Sequence, residues 1–266
     1  MKKNVIIAGG LGNQMFQYAL LLSLRHKGVN VCADASFYKY VKMHNGYELK
    51  RVFGVEEPLK CKGGFHLWWL RFLDKYSPSI LCTKDSLTFD NNVLSCPKQY
   101  IRGYWQSELY FKDIRDDVRG VYQFKGIDEQ NIALADNINE KNSVSIHIRR
   151  GDYASFGMTI IGADYYKKAI SIIKEKINDP FFYVFSDDEK EAKEIMDESN
   201  ANYQLITHNR GDDSYKDMYL MSQCKHNIIA NSSFSWWGAW LNNNRNKIVI
   251  APKWLKSFNL ESWIEL

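Results

Sequence analysis

The sequence predicts an α/β protein made of two parallel-sheet units, and three observations carry that prediction. The chain opens with a short β-branched run at 4–8, a glycine loop, Gly9-Gly10-Leu11-Gly12-Asn13-Gln14, and an apolar helix expected over 15–26. Strand, glycine turn and buried helix in this order begin a Rossmann-like unit. From about residue 141, short apolar runs alternate regularly with amphipathic ones, as they do where crossover helices join parallel strands. Between these stretches lies an irregular, aromatic-rich middle. With 266 residues the chain is long enough for two units, and the expected division is 1–140 and 141–266.

After the first helix, residues 29–33 read as a second strand that ends at Asp34. Periodicity then fades to about residue 99, punctuated by Pro58, Gly63-Gly64, Pro78 and Pro97. Within it Phe65, Trp68, Trp69, Phe72 and Tyr76 recur at helical spacing, which marks one apolar helix face packed on a core; a sugar-stacking surface is the other reading. Residues 100–105 read as a strand and 107–119 as a helix with Glu108 in its first turn. The corner Gly103-Tyr104-Trp105-Gln106 is a candidate for lining a cleft. A polar helix over 127–139 leads into the strand 143–148. Helices over 163–177, 189–196 and 214–224 then alternate with strands over 181–185, 203–206, 228–230 and 247–251.

Composition narrows the function. The net charge of +4 is spread along the chain with no basic tail, which argues against bulk nucleic-acid binding. The cysteines, Cys32, Cys61, Cys82, Cys96 and Cys224, are odd in number and widely spaced. No Cys-x-x-Cys occurs, so they read as free thiols in a reducing compartment rather than as a disulfide framework or a zinc site. Val5-Ile6-Ile7-Ala8 is too short for the core of a signal peptide, and the apolar run 65–73 is interrupted by His66 and Arg71 well short of a membrane span. The expectation is a cytoplasmic protein, with peripheral contact at the inner face of a membrane left open by the aromatic stretch.

The chemistry concentrates at three strand ends. The run Ser143-Val144-Ser145-Ile146-His147-Ile148 delivers Arg149-Arg150-Gly151-Asp152 to the carboxyl end of a strand, where the crevice of an α/β sheet lies. There glycine permits a sharp turn and a guanidinium fork grips phosphate oxygens through two parallel hydrogen bonds. The second end is Ser186-Asp187-Asp188, whose carboxylates suit a ribose or the donor edge of guanine. The third is Asn231-Ser232-Ser233-Phe234-Ser235, where small hydroxyl residues cap a helix and its first N–H groups form an anion site. Singly, these read equally as surface arginines, a core histidine, a solvated helix start and an ordinary cap. Together, at the strand ends of one sheet, they describe a nucleoside-diphosphate pocket. No carboxylate pair, Ser-His-Asp set or metal cage stands out. Departure of a diphosphate needs little beyond well-placed cations and amides, so glycosyl transfer from a nucleotide sugar is the reaction this pocket suits.

Three motifs in order, Gly9-Gly10-Leu11-Gly12-Asn13-Gln14-Met15-Phe16-Gln17-Tyr18-Ala19, His147-Ile148-Arg149-Arg150-Gly151-Asp152-Tyr153 and Asn231-Ser232-Ser233-Phe234-Ser235-Trp236-Trp237-Gly238, resemble those of the α-1,2-fucosyltransferases of glycosyltransferase family 11. The resemblance implies a GT-B-like fold of two Rossmann-like domains facing a cleft, an N-terminal acceptor side and a C-terminal donor side. It implies GDP-β-L-fucose as donor, inversion to an α-linkage, no cofactor and no required metal. The acceptor would be the 2-hydroxyl of a terminal β-galactoside in surface-glycan or oligosaccharide synthesis. Carried over residue by residue, it makes Arg149 and Arg150 the diphosphate anchor, Arg149 in direct contact, with His147 supporting the nucleotide. Ser232, Ser233 and Phe234 would place amides and a hydroxyl at the β-phosphate, and Asp217 would read guanine, with Asp187 and Asp188 near the nucleoside. Gly10, Asn13 and Gln14 would lie on the fucose and acceptor side. Asp152 is the nearest candidate for a catalytic base, although an acid paired with arginine is held ionised and serves poorly in that role. A dissociative reaction would relax the need for one.

Two other classes remain in play. Gly10-x-Gly12 with Asp34 approximates the dinucleotide fingerprint of an NAD(P)-dependent oxidoreductase, but Met15 stands where the third glycine belongs. A catalytically silent sugar-nucleotide or glycan-binding protein would use the same pocket without turnover.

Overall fold

The computed structural model of the chain describes residues 2–39, 44–56, 72, 81–83, 88–150, 160–253 and 258–266. Contacts divide it into two α/β units, one drawn from Met1–Lys125 and Leu255–Phe258, the other from Gly126–Trp254 and Asn259–Leu266. The expected boundary at 140 moves forward to 125. The reason is the helix that precedes residue 141: its Ala135 and Ile138 are buried against Tyr183, Phe185, Leu220 and Met221, all in the second unit.

The first unit contains strands β1 (Lys3–Ile6), β2 (Val31–Asp34), β3 (Leu81–Thr83) and β4 (Tyr100–Arg102), and helices α1 (Leu11–His26), α2 (Leu49–Phe53) and α3 (Arg115–Val121). Its sheet runs β2-β1-β4-β3 with every pairing parallel. The chain goes from β1 to one neighbour, β2, and returns on the other side as β4, so the topological switch point lies between β1 and β4. Helix α1 buries nearly its whole circumference, including Met15, Phe16, Leu20, Leu21 and Leu24. That explains why its sequence lacks a polar face. The helix starts at Leu11 rather than at the expected 15, so Gly12, Asn13 and Gln14 form its first turn. Only Gly9, at φ +84°, takes the left-handed conformation that turns the chain out of β1.

The expected helix over 107–119 breaks into two 3-10 turns, Glu108–Tyr110 and Lys112–Ile114, followed by α3. Ser107 caps the first turn through Leu109 N–H at 3.3 Å, and Phe111 at φ −138° interrupts the spiral. Burial of Tyr110, Phe111 and Ile114 together decides this shape over local helix propensity. The aromatic helix expected at 65–76 falls, except for Phe72, outside the described residues.

The second unit contains β5 (Ser143–Ile148), β6 (Phe181–Ser186), β7 (Asn202–Ile206), β8 (His226–Ile228), β9 (Val249–Ala251) and β10 (Ile264–Glu265). Its helices are α4 (Glu129–Glu140), α5 (Ala163–Lys176), α6 (Glu189–Glu198), α7 (Tyr215–Gln223) and α8 (Ser233–Leu241). The sheet order is β10-β9-β8-β5-β6-β7, again parallel throughout. Here the switch point falls between β5 and β8. Alternation along the strands builds two cores. On one face Phe182 and Val184 meet Tyr166, Ala169, Ile170 and Ile173 of α5 and Ile195 of α6. On the other Tyr183 and Phe185 meet α4 and α7. Each fully buried large apolar side chain contributes about 1.5–3 kcal/mol, so these faces hold the sheet between its helices.

Candidate functional site

In the second unit the site forms at the β5–β8 switch point. Strand β5 is central and buried along all six residues, so the turn after Ile148 leaves from a rigid frame. Arg149 Nε lies 3.1 Å from Asp187 Oδ2, while Asp187 Oδ1 accepts the backbone N–H of Arg150 at 2.8 Å. One carboxylate from the end of β6 thus fixes the turn after β5. The guanidinium of Arg150 goes elsewhere, pairing with the Glu191 carboxylate of α6. Its side chain is 12% exposed against 28% for Arg149. The two arginines are therefore not equivalent, and Arg150 is tied into the fold.

Asp188 caps α6, accepting Glu191 N–H at 3.0 Å. The spacing Asp188-x-x-Glu191 is that of a capping box, in which a side-chain oxygen satisfies an orphan N–H of the first turn. Ser186 Oγ donates to Ile148 O at 2.9 Å and accepts Asp188 N–H at 3.0 Å, which ties the ends of β5 and β6 together.

His147 is buried, its ring 6.0 Å from that of Phe234, and its Nδ1 has no hydrogen-bond partner among the described residues. Burial, reinforced by the charge of Arg149, lowers its pKa to about 3, with Asp187 pulling the other way. It is a neutral imidazole. Ser232 caps α8 by accepting Phe234 N–H at 3.3 Å, and Ser235 Oγ accepts Ala230 N–H at 3.3 Å, so both hydroxyls shape the turn out of β8. Ser233 opens the helix. Its remaining residues anchor it: Trp236, Trp237 and Trp240 are buried, and at Gly238 a β-carbon would come within 2.9 Å of Met221 Cβ on α7. A helix this apolar is held rigidly, so its N-terminal amides have a fixed place.

Asp217, in the first turn of α7, accepts Asn209 Nδ2–H at 2.8 Å. Burial raises its carboxyl to about 7, opposed by that hydrogen bond and by Arg210. Asn209 and Asn131 exchange amide hydrogen bonds at 3.0 Å, and Lys216 bridges Asp128 and Asp213, 2.7 Å from each. Asn131, Asn209, Lys216 and Glu191 are not apparent as site residues from the sequence. Only the Asp188-x-x-Glu191 spacing offers a signal for any of them. Asp152 lies outside the described residues, with the rest of 151–159.

In the first unit Gln14 is fully buried and spends its amide on backbone. It donates to Gly9 O at 3.1 Å and Gly46 O at 2.8 Å and accepts Glu48 N–H at 2.9 Å. Its place is structural, stapling the loop 44–48 to the glycine turn. Asn13 accepts Gln106 Nε2–H at 2.7 Å, and Gly10 caps α1 with the His44 ring 3.5 Å from where a β-carbon would sit. The dinucleotide reading loses its acid: the buried Asp34 carboxylate accepts the N–H of Ser36 at 3.0 Å and the Ser36 hydroxyl, closing the turn after β2. Among the described residues no three His, Cys, Asp or Glu side chains gather as a metal ion would require, and no helix is long and apolar enough to cross a membrane.

Two Rossmann-like parallel-sheet units, one with paired arginines and a capped helix at its switch point, make a GT-B-like α/β architecture of the kind that takes sugar nucleotides as donors. The described fold aligns with NodZ from Bradyrhizobium, an α-1,6-fucosyltransferase soaked with GDP-fucose, at a TM-score of 0.50 over 90% of this chain and 92% of that one, with 15% identity. The chain belongs to the family described as glycosyl transferase family 11, which it matches over residues 79–262. It is 35% identical to an α-1,2-colitosyltransferase of Escherichia coli, covering 97% of this chain and 93% of that protein. It is 32% identical to the O-antigen biosynthesis glycosyltransferase WbnK of Escherichia coli, covering 98% and 99%.

Proposed function

We propose that this glycosyltransferase moves L-fucose from GDP-β-L-fucose, with inversion, to the 2-hydroxyl of a terminal β-galactoside during surface-glycan synthesis. The observation that carries the reading is the Arg149–Asp187 pair at the end of β5, beside the capped N-terminus of α8. In the reaction the bond from the anomeric carbon to the β-phosphate oxygen breaks and its electron pair leaves with GDP. The acceptor oxygen forms the new bond from the opposite face, and its proton passes to a base or to water. Charge accumulates on the diphosphate, where Arg149 and the first amides of α8 are suited to receive it. His147 is too weak a base for the proton, and we assign it to the wall of the nucleotide pocket. Asp217 would read guanine, since an ionised carboxylate accepts from both donors of that base edge. We further propose that no metal is needed, because the cation and amides take its usual part, and that the protein works in the cytoplasm or peripherally at the inner membrane face.

A second donor is suggested by the 35% identity to a colitosyltransferase. Colitose is fucose without its 3-hydroxyl, so one group separates the two. The test is GDP release from GDP-fucose and GDP-colitose, with and without lactose or N-acetyllactosamine, repeated in EDTA, with the linkage assigned by NMR. Acceptor-dependent release from GDP-fucose with an α-1,2 product, undiminished by EDTA, is expected. Release from GDP-colitose alone moves the donor; GDP binding without turnover makes the protein a silent binder; NADH binding without GDP binding overturns the pocket.

A further inference from the structure

The switch point of the first sheet, between β1 and β4, is where ligands settle in open α/β sheets. Its two loops are joined twice by side-chain amides. Gln17 accepts Ala8 N–H at 2.9 Å and donates to Gly103 O at 3.0 Å. Gln106 Nε2 donates to Asn13 Oδ1 at 2.7 Å. Gln106 is 7% exposed, yet its Oε1 meets no donor among the described residues. Buried acceptors are almost always satisfied, so one left open beside a strand end calls for a reason. The residue before it is strained as well. Trp105 holds a left-handed φ of +53°, and its ring lies over Gly103, where a β-carbon would come within 2.7 Å of it. Strain of this kind persists where the surroundings impose it, and it clusters at ligand sites. The same turn presents the Tyr104 ring outward, 48% exposed.

We propose that this corner is the acceptor-sugar site, in which Gln106 Oε1 accepts a hydrogen bond from a sugar hydroxyl and the Tyr104 ring stacks on the apolar face of the pyranose. The chemistry of the open atoms selects the ligand class. Gln106 Oε1 takes a donor, and the neighbouring Trp105 Nε1, also buried without a partner among the described residues, takes an acceptor; a sugar hydroxyl supplies both, whereas an ionised phosphate or carboxylate supplies only the second. Asn13, Gln17 and Gln106 are uncharged amides that pair readily with hydroxyls, and the exposed Tyr104 ring beside them supplies an apolar surface for the face of a pyranose. Gln17 and Asn13 act as positioning residues that hold the corner to the glycine turn. That the sugar is a β-galactoside rests on the function proposed above.

The test uses the full chain with lactose as probe. Tyr104→Ala removes an exposed ring, and Gln106→Met keeps the volume while removing both amide groups. Each is expected to raise the lactose KM roughly tenfold, the cost of one lost contact to a neutral hydroxyl or ring face. Saturation-transfer NMR signals from lactose should fall in step, while GDP affinity by calorimetry stays at the wild-type value. Variants that transfer to lactose with the wild-type KM overturn the site and leave the proposed function standing. Lactose saturation transfer that both variants lose, in a wild-type protein that transfers nothing, upholds the site and overturns the function. Neither transfer nor lactose binding in the wild type overturns both.

Discussion

Asp187 holds Arg149 at Nε, 3.1 Å from its Oδ2, and with its other oxygen takes the backbone N–H of Arg150 at 2.8 Å. Both partners are partly exposed, so the ion pair itself is worth about 1 kcal/mol or less. Its consequence is aim. Asp187→Ala is expected to weaken GDP binding about tenfold, with little change in the melting temperature. Arg149→Lys should lower turnover by about 10²-fold, because an ammonium does not reproduce the fork. Isothermal titration with GDP and a turnover assay read the two effects, and an Arg149→Lys protein with normal turnover removes the guanidinium from the mechanism.

Arg150 makes the opposite prediction. Its guanidinium is paired with Glu191 in a largely shielded position, so Glu191→Gln leaves a cation short of its partner. The expected loss is about 1–3 kcal/mol of stability, read by urea denaturation, with GDP affinity reduced far less than by Asp187→Ala. Unchanged stability with abolished GDP binding would instead place Arg150 on the donor.

His147 links stability to pH. Its pKa in the fold, about 3, lies below that of the unfolded chain, about 6.5, so between these values the unfolded state binds more protons. Stability therefore falls as pH drops from about 6.5 toward 3, by at most about 1.4 kcal/mol per pH unit from this residue. His147→Phe should flatten that part of the melting-temperature profile. A variant whose acid limb matches wild type would show that the imidazole is not shielded.

Asp217 works the other way. Its carboxyl, raised to about 7, favours the neutral form in the fold, so the stability it contributes below the unfolded value near 3.8 is lost as pH rises through 7. The proposed contact with guanine requires the ionised form, because only a carboxylate accepts from both donors of that base edge. GDP affinity is therefore expected to strengthen from pH 6 to 8, and Asp217→Asn should remove that trend, narrow the preference for GDP over ADP, and stabilise the chain at pH 8. Calorimetric titrations across this range decide it, and a variant that keeps both the trend and the preference takes Asp217 out of base reading.

The strand ends that bear chemistry are legible because strand, turn and helix each leave a local signature: β-branched runs, Gly9, the Ser232 cap and the apolar period of 163–176. Where local signals compete, sequence misleads. The segment 107–119 opens as a helix does, with Ser107 at the cap and Glu108 in the first turn, yet burial of Tyr110 and Phe111 bends it into separate turns. For Gln14 only the bond to Gly9 is local; its partners Gly46 and Glu48 lie more than thirty residues away and leave no trace in the neighbouring sequence.

Residue order along the chain thus carries the α/β class, both glycine and arginine turns, and the family, since these depend on backbone conformation and on motifs a few residues long. The division of labour between Arg149 and Arg150, the neutrality of His147, the raised carboxyl of Asp217 and the open oxygen of Gln106 belong to the tertiary structure alone. Each of them depends on desolvation or on a partner brought close by folding, and neither quantity is encoded by neighbours in sequence.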